Sequence, residues 1–168
     1  MDLKQHKAGE VKAVRCAVIT VSDTRNESTD RSGQLMKELL TQAGHRVVEY
    51  RIVRDEPSEM QSVVERALLR EDLDAVLLNG GTGIAPRDGT YEVVSRLLDK
   101  RVDGFGEIFR WLSYGDIGSA AIMSRALAGV ARGKVMISLP GSAGGVELGM
   151  RRLVLPELSH MVSQAQGR

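Results

Sequence analysis

Apolar positions along this chain fall into short β-branched runs separated by longer segments with helical spacing. Residues 14–21 are β-branched and mostly apolar, which predicts a central strand, followed by a polar loop over residues 22–30. Ser32 is placed to cap a helix over residues 33–43, with Leu35, Met36, Leu39 and Leu40 at helical spacing and Gly44 as its stop. Residues 46–53 alternate enough for a second strand, and Arg54-Asp55-Glu56-Pro57 leads into a helix through Val63, Val64, Ala67 and Leu68. Residues 74–78 read as a third, buried strand that runs into a glycine-rich loop, and a helix starts again at Tyr91.

The second half keeps this alternation. Residues 102–113 predict a tight turn feeding a helix, and residues 117–124 read as helical. Two strand-like runs, 125–131 and 134–139, are joined at Arg132-Gly133 as a hairpin. The second ends in Pro140-Gly141-Ser142-Ala143-Gly144-Gly145, and two amphipathic segments, 146–153 and 156–164, close the chain. Strands alternating with helices imply a mostly parallel sheet covered on both faces. Residues 1–12 are expected to be a flexible or edge-lying tail, with residues 13–168 as a single domain.

Composition narrows the class of function. The 168 residues are 42% hydrophobic and 27% charged, and a net charge of +1 gives no reason to expect nucleic acid, whose footprint is a basic face or stripe. No apolar run approaches the ~20 residues needed to span a bilayer. The polar start MDLKQHKAGEVK lacks the apolar segment of a signal peptide, so the expected compartment is cytoplasmic, with no membrane partner. The lone cysteine, Cys16, lies in an apolar run and reads as a small core residue. His6, His45 and His160 are scattered and match no zinc spacing. Phe105, Phe109 and Trp111 cluster in one short stretch, for which core packing is the favoured reading and a subunit contact the alternative.

The candidate chemistry lies in the loops after strands. Gly80, Gly81 and Gly83 let the backbone approach a ligand and offer it bare N–H groups, with Asp88 five residues beyond. The loop is not a P-loop, which needs G-x-x-x-x-G-K-[ST]. It also fails the dinucleotide fingerprint, because Pro86 stands where the third glycine would be. Ser22-Asp23-Thr24, the glycine loop and Pro140-Gly141-Ser142 would all face one sheet edge, with Asp55 just past the second strand. The glycine-rich loops suit phosphate groups. Asp55 and Asp88 suit Mg²⁺, which takes one or two carboxylates plus phosphate oxygens. These residues point to an enzyme or receptor for a small phosphorylated ligand.

In order along the chain, Val21-Ser22-Asp23, Ser32-Gly33, Asp55-Glu56, Gly80-Gly81-Thr82-Gly83, Arg87-Asp88, Thr90 and Glu92 form an ordered set. The set continues through Gly104-Phe105-Gly106-Glu107, Phe109-Arg110, Ile117-Gly118, Ser124-Arg125-Ala126 and Leu139-Pro140-Gly141-Ser142. Over residues 12–160 it resembles the MoaB/Mog family of molybdenum cofactor biosynthesis proteins, and is closer to the MoaB branch. The resemblance implies a three-layer α/β/α sandwich with a mostly parallel sheet, assembled as a trimer or hexamer. It implies adenylylation of molybdopterin by Mg-ATP, giving adenylyl-molybdopterin and pyrophosphate, in a pathway shared with other molybdenum cofactor biosynthesis proteins. The alternative it leaves is a non-catalytic molybdopterin-binding or scaffold protein. By position it implies Asp55 and Asp88 as catalytic and Mg²⁺-holding acids. Ser22, Asp23, Gly80, Gly81, Thr82, Gly83, Glu107, Pro140, Gly141 and Ser142 would be substrate-binding. The chain departs from the family at Gly89 and Tyr91, where Val and Pro are usual. A second departure is Ala143-Gly144-Gly145, where Lys or another polar residue is common.

Overall fold

The computed structural model describes residues 13–168, so the tail expected over residues 1–12 lies outside the described residues. Six strands form one sheet: β1 (Arg15–Val21), β2 (Arg46–Val53), β3 (Ala75–Asn79), β4 (Lys100–Arg101), β5 (Leu127–Ala131) and β6 (Lys134–Leu139). Their spatial order is β2-β1-β3-β6-β5-β4. The first four in that order run parallel, and β5 and β4 extend the sheet antiparallel.

The helices are α1 (Arg31–Gln42), α2 (Pro57–Leu69), α3 (Thr90–Leu97), α4 (Asp103–Ile117), α5 (Ala143–Gly149) and α6 (Leu155–Ala165), with a 3₁₀ turn over Gly118–Met123. Strand side chains alternate between faces, and the alternation builds two cores. Cys16, Val18, Leu77 and Ile137 pack under α1, α4, α5 and α6 with Met36, Phe109, Met150 and Leu158. Ala17, Ile19, Val76 and Met136 pack under α2 and α3 with Met60, Val64 and Val94. The result is the expected three-layer α/β/α sandwich. Each fully buried large apolar side chain contributes roughly 1.5–3 kcal/mol. Cys16 is completely buried, and burial pushes its thiol up to about 12, so it is an inert core residue.

Two local expectations are corrected, and one strand is new. Asp30, not Ser32, caps α1: its carboxylate accepts from the Gly33 N–H at 3.0 Å, and Ser32 lies inside the first turn. A carboxylate three residues upstream reaches that orphan donor, which leaves the Ser32 hydroxyl for a long-range bond. The closing segments are one continuous run, because a π-helical stretch, Met150–Val154, joins α5 to α6. Pro156 in the next turn has no N–H, and its ring crowds the carbonyl four residues back; a widened turn accommodates both. Strand β4 was not expected at all. It has two exposed residues with no apolar pattern, and it exists only by pairing with β5.

Topology positions the site. The β1–α1–β2 crossover lies on one face and β2–α2–β3 on the other, so the chain reverses direction between β1 and β3. A crevice outside the C-terminal ends of the strands opens at such a reversal. The loops after β2, β1, β3 and β6 line that edge in sequence, carrying Asp55, Ser22-Asp23, the glycine loop and Pro140-Gly141-Ser142.

Candidate functional site

The glycine loop begins where β3 ends, and its backbone needs glycine. Gly80 (φ +94°) and Gly81 (φ +65°) sit in the left-handed region. A Cβ on Gly80 would strike the Val21 carbonyl oxygen, and one on Gly81 would strike the Thr90 hydroxyl. The loop is tied to β6 and to the start of α3. Gly80 N–H donates to Leu139 O at 3.1 Å, and Thr90 N–H donates to Gly81 O at 3.0 Å, starting α3 against the loop.

Three carboxylates converge beside it. Asp55 is only 8% exposed; its Oδ1 accepts from the Gly89 N–H at 3.2 Å, and its own N–H donates to Asp23 Oδ1 at 3.1 Å. Burial raises the Asp55 carboxyl above its ordinary value, and the charges of Asp88 and Asp23 add to the rise. The Gly89 N–H and the Arg87 guanidinium oppose it. Asp88 is half-buried and accepts from the Ala85 N–H at 2.9 Å through Oδ2. Arg87 forks onto Asp23 with Nε–Oδ2 at 3.0 Å and Nη2–Oδ1 at 2.9 Å. Three acids close to one guanidinium leave excess negative charge at the mouth of the crevice.

On the other side, the Ser22 hydroxyl accepts from the Thr24 and Arg25 N–H groups at 3.2 and 3.1 Å, which shapes the first loop. Gly141 packs against Gly80, where a Cβ on Gly141 would lie 3.1 Å from the Gly80 Cα. The two glycine loops therefore touch. Gly141 O accepts from the Ser32 hydroxyl at 2.6 Å and from Arg25 Nη2 at 2.8 Å. Although Ala143-Gly144-Gly145 carries no cation, the Arg25 guanidinium stands beside this loop from the opposite wall. Ser142 caps α5, accepting from the Gly145 N–H at 3.1 Å.

Between the two loops and α4 lies a cleft of about 440 Å³, bordered by Thr82, Gly83, Pro140, Ser142, Phe109 and Met123. A second cleft, of about 430 Å³, opens on the far side of the loop and includes Asp88, Glu92 and Arg125. The structure thus gathers Ser22, Asp23, Asp55, the Gly80–Gly83 loop, Asp88 and Pro140-Gly141-Ser142 along one edge. Glu107 is not with them: it is exposed on α4 and lines a separate cleft with Tyr91, Arg101 and Arg110. Among the described residues no group of three or more His, Cys, Asp or Glu is arranged to hold a metal, and no helix is long and apolar enough to cross a membrane.

Three arginines escaped sequence reasoning as site residues: Arg25, Arg87 as the partner of Asp23, and Arg125. Arg125 holds the glycine loop through a bond from Nε to Thr82 O at 3.0 Å. The signal available was the position of Arg87 and Arg125 inside the ordered motifs, which does not say what a guanidinium faces; Arg25 lies outside those motifs. The Tyr91 departure also gains an explanation, since its ring is stacked by both Arg125 and Arg101.

Residues 17–160 match the family described as "Probable molybdopterin binding domain". The chain is 54% identical over 165 residues to molybdenum cofactor biosynthesis protein B of Halalkalibacterium halodurans, covering 98% of this chain and 97% of that one. It is 53% identical to the protein of the same name from Bacillus subtilis, again over 165 residues and with the same coverage. Among solved structures, a molybdenum cofactor biosynthesis protein B superposes with a TM-score of 0.91 at 52% identity, covering 94% of this chain and 98% of that one. The tungsten cofactor synthesizing protein MoaB from Pyrococcus furiosus gives 0.84 at 37%, covering 93% and 99%.

Proposed function

The chain belongs to the MoaB/Mog family of molybdenum cofactor biosynthesis proteins, and on that footing we propose that it adenylylates molybdopterin with Mg-ATP, releasing pyrophosphate. The observation that carries this reading is the convergence of Asp55 and Asp88 beside two touching glycine loops. A nucleotidyl transfer needs a carboxylate-held cation and phosphate cradles next to each other. In the reaction a phosphate oxygen of molybdopterin attacks the α-phosphorus of ATP, and the bond from that phosphorus to the bridging oxygen breaks. Pyrophosphate leaves with the electron pair.

The residues present fit Mg²⁺. Asp55 Oδ1 and Asp88 Oδ2 are occupied by backbone N–H groups, while Asp55 Oδ2 and Asp88 Oδ1 accept no hydrogen bond among the described residues. Burial, with Asp88 and Asp23 nearby, raises the Asp55 carboxyl, and a bound cation would offset the cost of keeping it charged. Asp55 and Asp88 would hold the ion, which when bound neutralises charge developing on the phosphates. The chain's own groups do the rest. The remaining N–H groups of the Gly80–Gly83 loop, beyond the Gly80 N–H that β6 takes, and those of Gly141 and Ser142 orient phosphate oxygens, and Ser22 and Asp23 shape the wall between them. Thr82, Phe109 and Met123 enclose the cleft that would take the pterin.

The same reading treats residues 13–168 as one cytoplasmic domain that acts as a trimer or hexamer. Its support is an apolar face on α4 and the 3₁₀ turn: Ile108, Trp111, Tyr114, Ile117 and Ile122 are all exposed, Trp111 by 74%. Exposed apolar patches of this kind mark association surfaces.

Incubating the protein with molybdopterin, ATP and Mg²⁺ tests the proposal, with adenylyl-molybdopterin and pyrophosphate as the expected products. Pterin binding without either product would overturn it in favour of a non-catalytic binding or scaffold role.

A further inference from the structure

Arg125 lies just before β5, and its side chain is 23% exposed. One guanidinium there meets three acceptors. Nε donates to Thr82 O at 3.0 Å, Nη2 donates to Gly83 O, and Nη1 is paired with the Glu92 carboxylate. The guanidinium stacks 5.0 Å from the centroid of the Tyr91 ring. Arg101 reaches the same ring at 5.5 Å and donates to the Tyr91 hydroxyl at 2.6 Å. Arg125 is thus held by α3 on one side and holds the glycine loop on the other. The Glu92 carboxyl lies below its ordinary range because Arg125 is hydrogen-bonded to it, so the pair stays charged at neutral pH.

This contact sets the direction of the loop's donors. No peptide bond among the described residues is cis. In a planar trans peptide the carbonyl and the following N–H point in opposite directions. In an extended chain successive carbonyls alternate; here those of Thr82 and Gly83 are both drawn to Arg125. The N–H groups of Gly83 and Ile84 therefore face away from it together. Neither finds an acceptor among the described residues. Two adjacent free amides on one side of a turn make an anion-binding concavity.

We infer that Arg125 is a positioning residue: by binding two successive carbonyls it fixes the glycine loop with the Gly83 and Ile84 amides aimed at a phosphate. The inference rests on the proposed phosphate-binding role of this loop, although the clamp itself can be read without any ligand. Lysine cannot substitute, because a single ammonium lacks the planar fork that spans Thr82 O, Gly83 O and Glu92. Arg125 touches no substrate in this role.

The test uses the full chain as wild type, Arg125→Ala and Arg125→Lys. Backbone ¹⁵N relaxation reads the loop, calorimetric titration with inorganic pyrophosphate reads the cradle, and thermal melts confirm folding. The expected result in Arg125→Ala is a fall in the Gly83 and Ile84 order parameters from about 0.85 to below about 0.6, with pyrophosphate bound at least ~10-fold more weakly. Arg125→Lys, which keeps the charge and serves if the alanine variant does not fold, is expected to recover neither. Unchanged loop order in Arg125→Ala, or full recovery of order and affinity by lysine, would overturn the inference. If wild type binds no pyrophosphate while Arg125→Ala still loosens the loop, the clamp stands and the adenylylation reading is the one that fails.

Discussion

Asp23 and Arg87, 64 residues apart in the chain, form a forked ion pair across the mouth of the crevice, and the same Asp23 carboxylate accepts the N–H of Asp55. The pair links the loop after β1 to the glycine loop and pins the start of the segment that carries Asp55. Asp23 is therefore both a wall of the site and a brace for one of its acids.

Asp88→Ala is expected to lower adenylylation by on the order of 100-fold or more, the usual cost of removing one charge-stabilising group from a preorganised site. Asp88 is half-buried in a loop and contributes little to either core. Its melting temperature should stay near that of wild type. Product formation at the wild-type rate by a folded Asp88→Ala protein would remove Asp88 from the mechanism.

The buried charge of Asp55 costs stability. Its carboxyl is raised in the folded state, chiefly by burial, so the folded protein binds the proton more tightly than the unfolded chain. Stability is then largest where Asp55 is protonated and is lost as pH rises from the unfolded value of about 3.9 through the higher folded one. Asp55→Asn should accordingly melt higher than wild type at pH 7, with the gain vanishing in acid, while adenylylation is lost. Thermal scans at pH 7 and pH 4 check the sign; a variant less stable at pH 7 would contradict it.

Asp74 behaves oppositely. It is 4% exposed and accepts from Arg15 N, Nε and Nη2, each at 2.9 Å, and from Gln166 at 3.1 Å, tying β1 to the end of the chain. The hydrogen bonds from Arg15 outweigh burial and hold its carboxyl at about 2. This contribution, about 2 kcal/mol, is present above the unfolded value near 3.9 and lost as pH falls toward 2. Asp74→Asn should lower neutral-pH stability by about that amount and flatten the acid limb of a denaturation curve measured between pH 5 and pH 2.

Trp111→Glu should dissociate the proposed trimer or hexamer. Trp111 stands on the exposed apolar face of α4, and burying an unpaired carboxylate in an apolar interface costs several kcal/mol. Light scattering at micromolar concentration is expected to show a trimer or hexamer for wild type and a smaller species for the variant. A wild-type monomer would refute the assembly, and an unchanged variant would move the contact elsewhere.

Much of the fold was legible because periodicity is local. β1 and β2 fall within a residue of the runs that predict them, and the hairpin turns at Arg132-Gly133, both in the left-handed region. The Phe105–Trp111 cluster was legible only as a choice. Phe105 and Phe109 went to the core and Trp111 to the surface, because helix α4 turns them onto different faces. The sequence does not settle the cap of α1, since Ser32 and Asp30 are both good cap residues and only the path of the chain decides which one reaches Gly33.

By itself the sequence determined the alternation of strands and helices, the glycine loops after β3 and β6, and the acids that belong near them. These follow from side-chain patterning and backbone freedom over a few residues. Only the tertiary structure decided that Asp23 faces Arg87, that Arg25 stands beside the bare second loop, and that Arg125 grips Thr82 and Gly83. Those contacts join residues 42 to 116 positions apart. They depend on the strand order β2-β1-β3-β6-β5-β4, which is settled by packing two cores at once and leaves no local trace in the chain.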